Sequence, residues 1–108
     1  VKRDKLKTIP PEVFTLTNLQ YLDMSKNQLA EIPAAIGKLK NLQYLTVEKN
    51  KLESLPPEIG ELTNLFYLNI GQNEIYGLPP EIGKLVYLRN FDAWSNNLSK
   101  FPDELRDL

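Results

Sequence analysis

Leucines recur along this chain at a fixed step. Leu19, Leu42, Leu65 and Leu88 lie 23 residues apart, and each opens the same order of apolar and polar positions. The clearest copy is Leu42-Gln43-Tyr44-Leu45-Thr46-Val47-Glu48-Lys49-Asn50-Lys51-Leu52, which reads L-x-x-L-x-L-x-x-N-x-L with Val in the third apolar slot. Asn27, Asn50, Asn73 and Asn96 hold the Asn slot. Ile32-Pro33, Leu55-Pro56, Leu78-Pro79 and Phe101-Pro102 follow in the same phase. A constant period of this length marks a solenoid, in which each unit buries its apolar side on its neighbours.

Each unit has two halves. In the first, apolar and polar residues alternate, which is strand periodicity. Leu22, Met24, Leu45, Val47, Leu68, Ile70, Phe91 and Ala93 are the inward positions. Strands of successive units pair in parallel at about 4.8 Å. The second half reads Pro57-Glu58-Ile59-Gly60-Glu61-Leu62, with Pro11-Glu12 and Pro80-Glu81 in the same place. Proline at the first helical position gives up an N–H that would be orphaned anyway, and Glu there faces the positive dipole end. Gly37, Gly60 and Gly83 interrupt too soon for a full helix, so one or two turns of 3₁₀ or α structure are expected. The Asn column is expected to turn inward as a structural ladder, because a buried amide is tolerated only when hydrogen-bonded.

The phase divides residues 1–108 into a partial repeat at 1–18 and repeats at 19–41, 42–64, 65–87 and 88–108. The sequence opens inside a strand and stops where the next should begin. Solenoid ends need polar caps, and neither end has one, so the chain reads as a fragment of a longer array or as one whose ends meet a partner or a second copy. Val1 to Pro10 is basic and already in phase, which argues against a leader.

Sequences built from Ile36-Gly37-Lys38-Leu39-Lys40-Asn41-Leu42 and Leu55-Pro56-Pro57-Glu58-Ile59-Gly60-Glu61-Leu62 carry an L-P-x-x-I-G-x-L variant. They resemble the 23-residue subclass of leucine-rich repeats, common in Ras-associated intracellular and bacterial proteins. The resemblance covers nearly the whole chain. It implies an α/β horseshoe solenoid with a parallel sheet on the concave face and short 3₁₀ or α turns on the convex face. It also implies a scaffold that binds other proteins on its strands. Phe14 stands where the pattern has Gly, Ala34-Ala35 replace Pro-Glu, and Phe91-Asp92-Ala93 replace the aliphatic pair.

Composition removes several function classes. The 108 residues contain neither Cys nor His, which excludes disulfides, cysteine nucleophiles, Ser-His-Asp triads and ordinary zinc sites. No metal or other cofactor is implied. The formal net charge of −1 gives no reason to invoke nucleic acid or an anionic membrane, and no apolar run approaches the roughly 18 residues of a membrane span. Cysteine-free usage without a disulfide-bonded cap suits the cytoplasm.

What remains is a surface. The outward strand positions fall into columns: Tyr21, Tyr44, Tyr67, Asn90; Asp23, Thr46, Asn69, Asp92; and Lys2, Ser25, Glu48, Gly71, Trp94. Arg3, Lys26, Lys49, Gln72 and Ser95 form a basic rim. Tyr and Trp are preferred interface anchors, since they bury large area at low entropic cost and keep a polar handle. The expectation is a protein-binding strip centred on Tyr44, Tyr67 and Trp94, with Tyr21, Thr46 and Asn69 alongside and Asp23, Glu48 and Asp92 flanking it. Gly71 leaves a notch between larger neighbours. A plainer reading makes the tyrosines good cross-strand neighbours and nothing more. The acidic strip beside a basic rim favours a polar, partly basic partner. Asp23 and Glu48 lie about 8 Å apart by strand geometry, but on an open surface that raises neither pKa, so an enzyme is not expected. End-to-end self-association is the alternative role. Asn97-Leu98-Ser99 matches a glycosylation sequon with no secretory feature beside it.

Overall fold

The computed structural model describes residues 6–96. Four three-residue strands, β1 (Tyr21–Asp23), β2 (Tyr44–Thr46), β3 (Tyr67–Asn69) and β4 (Asn90–Asp92), form one sheet. They pair in parallel in sequence order. The register is the 23-residue step itself: Tyr21 opposite Tyr44, Tyr44 opposite Tyr67, and Tyr67 opposite Asn90.

Each strand is preceded by a 3₁₀ turn: Pro11–Thr15, Ala34–Lys38, Pro57–Glu61 and Pro80–Lys84. All are 3₁₀ and none is α. Proline opens three of them, and Glu follows in the first turn of each of those three. The five-residue length fits the weak 3₁₀ hydrogen-bond geometry. The turns stack on one another and the strands on one another, in two rows that touch only their sequence neighbours.

The core fills the space between the rows. Met24, Leu29, Ile36, Leu39, Leu42, Leu52, Ile59, Leu62, Leu65 and Leu68 have no exposed surface. Strand alternation explains the inner face: Leu22, Leu45 and Leu68 are buried, and Phe91 is half-buried at the β4 end. Parallel strands this short supply few ladder bonds, and the bend after each strand is closed by a side chain instead. Asn50 shows how. Its Nδ2 donates to Met24 O at 3.0 Å and Val47 O at 2.8 Å, and its Oδ1 accepts from Leu29 N at 3.0 Å. One amide thus ties the bend of its own repeat to the preceding repeat. Asn73 and Asn96 make the same set one and two steps on. Asn27 bonds Met24 O, Ser25 O and Leu6 N.

The residue before each of these asparagines is left-handed: Lys26 at φ 60°, Lys49 at 62°, Gln72 at 55° and Ser95 at 56°. The rim is therefore a strained bend, costly for residues with a Cβ. Each of Lys26, Lys49 and Gln72 donates its N–H to the next repeat, at Glu48 O, Gly71 O and Trp94 O.

A second Asn column lies at the other end of the strands. Asn41 Nδ2 donates to Thr17 O at 3.1 Å and Asn64 Nδ2 to Lys40 O at 3.0 Å. Lys40 and Glu61 form an exposed ion pair at 2.8 Å between successive repeats. Lys40 holds the Glu61 carboxyl below the usual carboxylate range, first by hydrogen bond and then by charge.

Candidate functional site

The candidate face is the outer side of the sheet, and its ordered feature is a stack of three phenol rings. Tyr21 and Tyr44 lie 4.2 Å apart between centroids with planes 8° from parallel, and Tyr44 and Tyr67 lie 4.2 Å apart at 4°. Parallel register forces this: identical side chains on neighbouring strands project side by side at nearly the strand spacing. Asn69 Nδ2 donates to the Tyr67 hydroxyl at 3.3 Å. Burial of the Tyr44 phenol, followed by the neighbouring phenols of Tyr21 and Tyr67, pushes its hydroxyl well above the ordinary phenol range.

The next column does local work. Asp23 Oδ1 accepts from Ser25 N at 3.0 Å and Ser25 Oγ at 2.6 Å. Thr46 Oγ1 accepts from Glu48 N at 3.3 Å, and Asn69 Oδ1 accepts from Gly71 N at 2.9 Å. Each folds back on the backbone two residues ahead, as Asx and Ser/Thr turns do. Thr46 is only 5% exposed and Asn69 8%. The accessible strip is thus narrower than strand alternation predicts, because these two side chains turn to their own bends. Asp92, fourth in the column, is exposed.

Trp94 is 54% exposed, yet its indole leans back over β3. A Cβ added at Gly71 would lie 2.7 Å from Trp94 Nε1 and 2.9 Å from its Cδ1. The expected notch at Gly71 is filled by this ring. Gly71 has no positive φ, so it is needed for space. Glu48 is half-buried between Ser25 and Gly71. The open strip that results runs from Tyr21 across Tyr44 and Tyr67 to Asn90, Asp92 and Trp94.

Lys2, Arg3 and the Asn97-Leu98-Ser99 sequon lie outside the described residues. So do Phe101-Pro102 and the C-terminal end expected to be open. Sequence reasoning passed over a second set of exposed apolar residues, Phe66, Val86 and Tyr87. They sit where the chain enters β3 and β4, at positions filled by Gln43, Lys40 or Thr63, and Asn64 in neighbouring repeats. Comparing those columns at the 23-residue step would have found them. Leu16 was missed too. It is 53% exposed, while Leu39, Leu62 and Leu85 in the same phase are buried.

Among the described residues, no group of three acidic, Cys or His side chains is placed to hold a metal ion, and no helix is long and apolar enough to cross a membrane.

No curated protein sequence matches the chain. Solved structures do. A leucine-rich repeat protein of Leptospira interrogans is similar at 31% identity and a TM-score of 0.65, over 96% of this chain and 32% of that one. The plant peptide hormone receptor RGFR1, solved in complex with RGF2, is similar at 34% identity and a TM-score of 0.82, over 99% of this chain and 17% of the receptor chain. A chain of the BIR3–SERK2 complex of Arabidopsis thaliana is similar at 30% identity and a TM-score of 0.83, over 100% of this chain and 62% of that one. This chain therefore spans 17–62% of the length of those three. The model of a leucine-rich repeat region matches residues 5–108. With the parallel sheet, the 3₁₀ row and the Asn ladder in the same phase, the chain belongs to the leucine-rich repeat family.

Proposed function

We propose that this chain is a protein-interaction module whose outer strand face binds a partner protein or peptide, with Tyr44, Tyr67 and Trp94 at the centre of the contact. The observation that carries the reading is the ring stack. Three parallel aromatic rings on one open sheet face, their hydroxyls at one edge of the stack, form a rigid amphipathic surface. It loses little entropy when covered. Two similar structures support the reading, since both are complexes: RGFR1 with RGF2, and BIR3 with SERK2.

Selection from a random-peptide display library against the immobilised chain tests it. Binders are expected to lose about tenfold or more in affinity on Tyr67→Ala or Trp94→Ala, in variants that keep the parent's circular dichroism. Binders indifferent to both substitutions would remove this face from consideration.

A second reading is self-association, favoured by Leu16 alone. An apolar side chain 53% exposed in an otherwise buried column is one that a second copy stacked on that end could cover. Sedimentation equilibrium over a wide concentration range decides it. A dimer that reverts to monomer on Leu16→Asp supports stacking, and a monomer throughout excludes it.

A further inference from the structure

The ring stack stops one strand short of the end of the sheet. Tyr67 is paired in register with Asn90, so the fourth position carries a short side chain where a fourth ring would otherwise stand. Tyr21, Tyr44 and Tyr67 repeat at 4.2 Å. The next rung would fall above Asn90, on the face of Tyr67 turned away from Tyr44. Asn90 is exposed, and its side chain is too short to cover a phenol ring out to the hydroxyl. The Trp94 indole leans over Gly71.

The chemistry of this slot differs from that of the rest of the face. In the column beside the stack, a side-chain oxygen of each of Asp23, Thr46 and Asn69 accepts from the backbone N–H two residues ahead. Asp92 is the exception. It is exposed, its carbonyl oxygen accepts from Ile70 N in the ladder, and its carboxylate makes no hydrogen bond or ion pair among the described residues. Its carboxylate is one strand over and two residues on from Tyr67, beside the vacant rung. The rim supplies no cation there. Lys26 and Lys49 flank the first two strands, while Gln72 and Ser95 hold the same place beside β3 and β4. The nearest described cation along β4, Arg89, is exposed just before the strand and forms no ion pair with Asp92.

An occupant must therefore be planar, about one ring thick, and cationic. We propose that this slot takes an arginine side chain of the partner, its guanidinium stacked on Tyr67 as the fourth rung and ion-paired with Asp92. A guanidinium is flat, stacks on aromatic faces and presents paired donors to a carboxylate, whereas an ammonium is a compact, strongly hydrated point charge. The Asn90 amide oxygen adds an acceptor at the rung. The inference rests on the strand-face reading above and gives the partner one required side chain.

The test uses the full chain and peptides selected on it from a random display library. Each binder is remade with every arginine replaced by citrulline, which is nearly isosteric but neutral, and separately by lysine. Affinities are measured against the parent chain, Asp92→Asn and Tyr44→Ala. The Asp92 carboxylate makes no bond among the described residues, and the ladder bond to its carbonyl is independent of the side chain, so Asp92→Asn leaves the fold intact. Tyr44 lies outside the slot and reports on the face as a whole. The expected result is arginine in the binders, a loss of at least about fivefold on citrulline or lysine replacement, and a similar loss on Asp92→Asn that is not additive with the citrulline change. Binders that weaken on Tyr44→Ala but contain no arginine, or ignore Asp92→Asn, overturn the slot and leave the strand-face reading standing. Binders indifferent to Tyr44→Ala as well, or no binders at all, overturn both.

Discussion

A single amide holds each bend of this chain. Asn50 reaches Met24 O and Val47 O with one nitrogen and takes the Leu29 N–H with its oxygen, so it satisfies backbone groups of two repeats while 7% exposed. Leucine has similar volume and no polar atoms. Asn50→Leu leaves those buried groups without their partners, and is expected to cost about 1–3 kcal/mol in urea unfolding. An unchanged midpoint would mean that the bend closes without the amide. Tyr44 makes a different demand. Its phenol is held neutral by burial and by the neighbouring phenols of Tyr21 and Tyr67, so its folded-state pKa lies above the unfolded value of about 10. Its contribution is complete below that pH. Above it the unfolded chain ionises first, and stability falls as pH rises through the folded value. Unfolding midpoints measured at neutral and alkaline pH should therefore fall less steeply for Tyr44→Phe than for the parent. Parallel slopes would show that the stack does not perturb this phenol.

Among the elements, the 3₁₀ row explains two departures from the repeat that look unrelated in the sequence. A Cβ on Gly37 would lie 3.3 Å from Glu58 Cβ, and one on Gly60 would lie 2.9 Å from Glu81 Cβ and 2.6 Å from its carbonyl. The glycine of one turn thus faces the Glu of the next, 21 residues on. Applied to Phe14, the same step lands on Ala35. A bulky side chain in the Gly place meets a small one in the Glu place, and the two line one shallow cavity with Ile9, Pro11 and Pro33. Phe14 is buried there. Phe14→Gly should cost about 3–5 kcal/mol, and Ala35→Glu about 1–3 kcal/mol by overpacking. The double substitution restores the Gly–Glu pairing of the other turns, so it should be less destabilising than the sum by about 0.5–3 kcal/mol. A strictly additive cycle would separate the two sites. The strands, their register and the inward columns were legible because period two and the 23-residue step fix them without reference to side-chain reach. The folding-back of Thr46 and Asn69 was not, since a polar residue on an outward position gives no sign that it will turn to the backbone two residues ahead. Nor was the lean of Trp94, because register gives adjacency and not rotamer. The Asn41 and Asn64 column and the Phe14–Ala35 pair were written in the sequence, at constant separations, and needed only comparison between repeats.

Across the described residues, strands touch only neighbouring strands and turns only neighbouring turns, so stability there is a chain of nearest-neighbour interfaces. Opening from an end breaks one interface, whereas opening in the middle breaks two. Burial follows the same gradient. Leu45 and Leu68 are 1% and 0% exposed, Leu22 is 7% exposed, and Phe91 and Ala93 are half-buried. Three equivalent amides read out the three strand junctions: Met24 N to Thr46 O, Val47 N to Asn69 O, and Ile70 N to Asp92 O. Native-state hydrogen exchange should rank Val47 slowest, Met24 intermediate and Ile70 fastest, with Val47 and Ile70 differing by about tenfold or more. Leu45→Ala, expected to cost about 2–5 kcal/mol, should then shorten the protection of Val47 and Met24 more than that of Ile70. Equal protection at all three sites, lowered equally by Leu45→Ala, would mean that the described repeats open as one cooperative unit. The β4 edge, which holds Asp92 and Trp94, would then be as rigid as the Tyr stack beside it.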